Sequence, residues 1–169
     1  MAIINSKLIH FLLLLSITLS YNAKASNKMD FFKVIFHSTR CNGACPSIAL
    51  EIDSSGNVYV NRTYYKTKSE VDLPYSGKFK GRLAADKYQQ LLEALKACDF
   101  DTLSSREIKY MDISVKMLIV YYNGKRKYLK WTGNPILGTE NLINILLYWA
   151  HNKELDRTNE KRQLEYKDE

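Results

Sequence analysis

A chain of 169 residues, 46% apolar and 12% aromatic, can bury a core without dense disulfides or metals and is too apolar to be disordered. Its formal charge of +7 would hint at nucleic acid in a cytosolic protein, but the N-terminus points out of the cytosol. Lys7 and the free amine open a secretory signal, and Leu8 to Leu19 is its apolar run. Ala23-Lys24-Ala25 then gives the small-x-small pattern for cleavage after Ala25. The run is shorter than the roughly 20 residues of a membrane span. Residues 1–25 therefore read as a signal peptide, leaving no transmembrane segment after cleavage. Loss of Lys7 and Lys24 lowers the formal charge from +7 to +5. Outside the cytosol, such an excess serves solubility or attraction to an anionic surface or glycan, and nucleic acid is not an expected partner. The expected location is the periplasm, the cell surface or the medium, where nearby cysteines tend to pair.

Phe31 to Phe36 is a first strand, rich in β-formers. Cys41-Asn42-Gly43-Ala44-Cys45-Pro46 follows, at the entrance to a second strand, Ser47 to Ile52. Ile48, Leu50 and Ile52 share one face of that strand by the period of two. Asp53 to Asn57 is a turn, with Gly56 for positive φ. Val58 to Tyr65 returns as a third strand, and Tyr75 to Lys80 is a short fourth. Between Ala84 and Cys98 the apolar residues Tyr88, Leu91, Leu92, Leu95 and Cys98 form the stripe of an amphipathic helix. Ile113 to Tyr122 is the most apolar strand of the mature chain and is expected to be central in the sheet. Asn123-Gly124 is a type I′ hairpin signal, after which Lys125 to Trp131 pairs back. Thr139 can cap a second helix, Glu140 to His151. From Lys153 on there are five basic and six acidic side chains but only two leucines. That tail is expected to fray or extend the helix and to bury little.

The expected fold is α+β: a mainly antiparallel sheet of about five or six strands, two helices on one face and the other face partly wet. Residues 26–152 form the single domain and 153–169 a mobile charged tail.

The C-x3-C spacing around Gly43 can close a disulfide between Cys41 and Cys45. The sharper alternative is copper(I) binding or thiol redox chemistry at the same pair. Cys-x3-Cys-Pro resembles the copper-binding loop of the chaperones that assemble cytochrome oxidase, where thiolates and a distant histidine suit soft copper. His37 and His151 are the mature histidines, and neither has ligand-like spacing to the pair. Four zinc ligands are not present in a recognisable pattern. Cys98, on the helix stripe, reads as a buried free thiol. Asp99, Asp101 and Asp112 are ordinary helix-end and loop aspartates with no catalytic pattern around them. No catalytic residue, metal or cofactor is expected. The basic, aromatic strand Lys125 to Trp131 offers Lys127, Lys130 and Trp131 as a ligand-facing surface for a polyanion or a sugar ring. The competing reading is a lysine-guarded edge strand.

A family pattern runs through these motifs. Cys41-x-Gly43-x-Cys45-Pro46, the strand through Ile52 and Asp53-x-x-Gly56-Asn57-Val58 come first. Gly77-Lys78, Gln89-Gln90-Leu91-Leu92 and Asp99-Phe100-Asp101-Thr102-Leu103 follow, then Asp112, Asn123-Gly124-Lys125 and the closing helix. The ordered set resembles the domain-of-unknown-function family 6438, small exported domains mostly of bacteria, from about Phe31 to Trp149. Ile48 stands where an aromatic is usual, and no proline follows Asp112. The resemblance implies export and an α+β domain and supplies no activity. Together these readings predict an exported, non-enzymatic binding or accessory domain, with any site near the Cys41–Cys45 loop and Asp112.

Overall fold

The computed structural model describes residues 29–107 and 112–166. The signal read at residues 1–25 lies outside them. Among the described residues seven strands are formed: β1 (Phe31–Ser38), β2 (Ser47–Asp53), β3 (Asn57–Thr63), β4 (Gly77–Arg82), β5 (Val115–Tyr122), β6 (Lys125–Thr132) and β7 (Asp156–Arg157). They make one antiparallel sheet in the order β6-β5-β1-β2-β3-β4-β7. Among the described residues, two helices, α1 (Ala85–Ala97) and α2 (Glu140–His151), complete an α+β fold. β5 is interior but next to the edge strand β6 rather than at the middle.

Local chemistry explains the turns. The Asp53 carboxylate accepts the backbone N–H of Ser55 at 2.8 Å and of Asn57 at 3.0 Å, while Gly56 takes φ +77°. This self-bonding turn aligns β2 with β3. Asn123 and Gly124 both have positive φ, 48° and 69°, as a type I′ hairpin requires. One expected cap differs. Thr139 precedes α2, but its hydroxyl donates back to the Ile136 carbonyl at 2.6 Å and makes no helix-capping bond.

Alternation divides each strand between two faces. Val34, Phe36, Leu50, Ile52, Val60, Leu118, Val120 and Leu129 pack with Leu91 and Leu95 of α1 and Leu142, Ile143 and Leu146 of α2 in one core. The other face carries Lys33, Ile35, His37, Glu51, Tyr59, Met117, Ile119 and Tyr121, paired across the strands by register.

That second face is not the open surface expected from the sequence. Ile35 and Ile119 are fully buried and His37 and Glu51 nearly so. The cover is the charged C-terminal segment as far as residue 166, which lies back on the sheet and does not extend α2. Leu155 first packs into the helix-side core against Gly81, where an added Cβ would lie 2.6 Å from its side chain. Asp156 and Arg157 then pair with β4 as the seventh strand, one more than predicted. From there the chain crosses the sheet. The Tyr59 hydroxyl donates to the Glu160 carbonyl at 3.1 Å, and Arg162 binds the Glu51 carboxylate. Glu165 reaches Tyr121 and Arg126, and Tyr166 sits on His37. Single charges replace apolar periodicity along this strap.

Candidate functional site

The loop between β1 and β2 is closed by a Cys41–Cys45 disulfide with Cα atoms 5.5 Å apart. Gly43 suits its tight interior: an added Cβ would lie 3.3 Å from the Cys41 sulfur. The Asn42 N–H donates to the Asp112 carbonyl at 3.3 Å, and the Asn42 amide donates to the Asp112 carboxylate at 3.4 Å. Lys68 donates to the Asn42 side-chain oxygen at 3.4 Å. Nearby, the Thr39 N–H donates to the Val115 carbonyl and the Val115 N–H donates to the Thr39 hydroxyl, both at 2.9 Å. The Arg40 guanidinium stacks 4.1 Å from the Tyr65 ring centroid. Three segments, 39–45, 65–68 and 112–115, therefore meet at one end of the sheet, with Asp112 beside the loop. The pieces suit polar recognition: two cations, an aromatic face and a carboxylate already engaged with its neighbours.

The three β6 residues separate. Trp131 is completely buried and packs against Phe36, ring centroids 6.5 Å apart. As a ligand-facing residue it must be corrected, because it shares the core face with Leu129. Lys127 lies on that same side, opposite Val120 in register, whereas Lys130 pairs with Met117 on the strap side. The two lysines therefore point to opposite faces and cannot form one surface. Cys98 is a free, buried thiol. Burial and the nearby Glu140 push it up to about 11, so it stays protonated and packs as a small hydrophobe.

Two polar clusters went unread in the sequence. Under the strap, His37 donates from Nε2 to the Glu165 carbonyl at 2.5 Å, and the Tyr166 ring meets it edge-on with centroids 4.8 Å apart. Among the described residues, His37 Nδ1 has no hydrogen-bond partner. Burial holds the imidazole below its ordinary pKa, outweighing the Glu165 carbonyl and charge, which pull the other way. The Glu165 carboxylate accepts from the Tyr121 hydroxyl at 2.7 Å and from Arg126 Nε at 2.8 Å, and Lys33 lies 3.8 Å away. Burial alone would raise its pKa, but those hydrogen bonds and the charges of Arg126 and Lys33 hold it below the usual carboxylate value.

The second cluster is at the end of α2. Arg62, only 4% exposed, donates to the carbonyls of Ala150 at 2.8 Å, Asn152 at 2.9 Å and Tyr75 at 3.3 Å. Its guanidinium lies 4.1 Å from the Phe79 ring centroid. Tyr64 hydrogen-bonds His151 beside it. Burial and the Arg62 charge lower the His151 pKa. Here the signal was in the period: Arg62 falls two residues after Val60 and four after Val58, on the core face of β3. A cation there satisfies the carbonyls left open at a helix C-terminus.

No curated protein matches the chain. Residues 32–147 match the family model of a domain of unknown function, DUF6438. That stretch runs from β1 into α2 and includes the disulfide loop, Asp112 and the Arg62 position but not the strap; the chain belongs to the DUF6438 family.

Proposed function

We propose that the protein is an exported, non-enzymatic binding or accessory domain, active in the periplasm or at the cell surface, with the Cys41–Cys45 bridge as a structural fastening. The bridge itself is the observation that carries this reading. Two sulfurs joined at the head of β2, with the loop they close hydrogen-bonded to Asp112, suit an oxidising compartment. The basic, signal-like N-terminus supports the same location. The ligand-facing region is the rim made by Arg40, Tyr65, Lys68 and Asp112, and its basic character favours an anionic surface or glycan.

Copper(I) or thiol chemistry at Cys41 and Cys45 would first require the bridge to open. The two histidines among the described residues are engaged elsewhere, His37 with Glu165 and His151 with Tyr64. Among the described residues, no three His, Cys, Asp or Glu side chains converge as a metal site would need. A thiol count on the exported protein, denatured without reductant, separates the two readings. One free thiol, Cys98, is expected. Three free thiols, followed by tight uptake of one copper(I) that a Cys45→Ser variant loses, would replace the proposal with the copper reading.

A further inference from the structure

The strap covers the second face of the sheet without filling it. A cleft of about 670 Å³ remains between them, lined by Lys33, Glu51 and Arg126 below and by Leu164, Glu165 and Tyr166 above. Beneath the strap His37 is 2% exposed, while the Tyr166 ring that meets it is 54% exposed. A segment serving only as a wall would place apolar side chains over Ile35 and Ile119. Here Leu164 is a single half-buried apolar side chain of the crossing, and the hydrogen bonds that hold it run through Glu160, Arg162 and Glu165. The strap also follows the family-matched region, which ends at residue 147.

The anchors describe a recognition chemistry. Arg126, Tyr121 and Lys33 converge on one carboxylate. One residue on, an aromatic ring meets the edge of a buried imidazole whose Nδ1 faces no partner among the described residues. We propose that this face is a peptide-binding groove, that its ligand is a partner-protein segment with a carboxylate beside an aromatic ring, and that Glu165-Tyr166 is the resident occupant holding it shut. Charge complementarity selects this occupant: Arg126 and the Tyr121 hydroxyl converge on the Glu165 carboxylate, Lys33 lies 3.8 Å from both it and Glu51, and the adjacent imidazole edge favours a ring. An extended segment lying in a groove, fixed by alternate side chains, is a common mode of peptide capture. The inference rests on reading the domain as a binding module, but the thiol count above and the titration below fail independently.

The test uses the full mature chain and a fluorescent synthetic peptide with the sequence of residues 160–166, followed by anisotropy. A Glu165→Gln/Tyr166→Ala double variant should bind the peptide, and the unaltered chain should bind it at least about tenfold more weakly because its own tail competes. Adding Arg126→Gln to the double variant should abolish binding. Equal binding by the unaltered and double-variant chains, or none by either, overturns the proposal. If the double variant does not fold, Glu165→Gln alone takes its place. Loss of cooperative melting in both would make the strap a structural wall and also overturn it. A dimer of the unaltered chain that disappears in the double variant would indicate tail exchange between copies and overturn the partner assignment.

Discussion

His37 and Glu165 are 128 residues apart in sequence, yet the imidazole Nε2–H donates to the Glu165 carbonyl across 2.5 Å. That bond ties the last described turn of chain to the middle of the sheet and makes the fold sensitive to acid. A carbonyl can only accept, so Nε2 carries the proton, and protonating Nδ1 would bury an unpaired charge. With its pKa lowered on folding by burial, His37 contributes stability that is full above about pH 6.5 and lost as the pH falls towards the lowered value. Glu165, also held low in the fold, contributes stability that is full above about pH 4.3 and lost below it. The urea midpoint should hold steady from about pH 8 to 7, fall below about 6.5 and fall again below about 4.3. His37→Phe should flatten part of the first decline, leaving the share that His151 contributes.

Arg62 predicts a larger loss. Removing it strands the carbonyls of Ala150, Asn152 and Tyr75 in a buried place. Arg62→Ala should cost about 3 kcal/mol by chemical denaturation. Arg62→Lys should recover little of this, because an ammonium cannot reproduce the guanidinium fork or its stacking on Phe79.

The disulfide predicts a smaller and separable effect. Cys41 and Cys45 are four positions apart, and a loop that short yields about 2 kcal/mol by the chain-entropy argument. A Cys41→Ser/Cys45→Ser double variant should lose about that much, and added reductant should destabilise the unaltered chain but not the variant.

On β6, the three residues read together in the sequence should behave differently. Trp131→Ala empties a fully buried site and should cost about 3–5 kcal/mol. Lys127→Ala and Lys130→Ala should each change stability by no more than about 0.5 kcal/mol. If an anionic glycan binds this strand, the two lysine variants should not weaken it equally, since their side chains leave opposite faces. Titration with heparin at two salt concentrations reads this directly.

The local chemistry of the fold was legible in the sequence, and the long-range polar contacts were not. The Asn123-Gly124 turn, the Leu91 and Leu95 stripe and the closing of the cysteine loop each depend on neighbours within a few residues. Trp131 could have been placed from its parity with Leu129, but the alternation of lysine and aromatic residues suggested a surface instead. Arg62 was readable on the same ground, two residues from Val60. The strap was not: Glu165 and Arg162 meet partners 39 and 111 residues away, and a charged segment has no apolar period to show that it covers anything. Asp112 came close to the loop as expected, its carboxylate accepting from the Asn42 amide.

The most direct test is the intact mass of the protein secreted by its native host, measured without reduction. The expected chain begins at Ser26 and is lighter by two hydrogens than the fully reduced form, with a single thiol open to alkylation after denaturation. A retained leader, or three alkylated thiols, would contradict it.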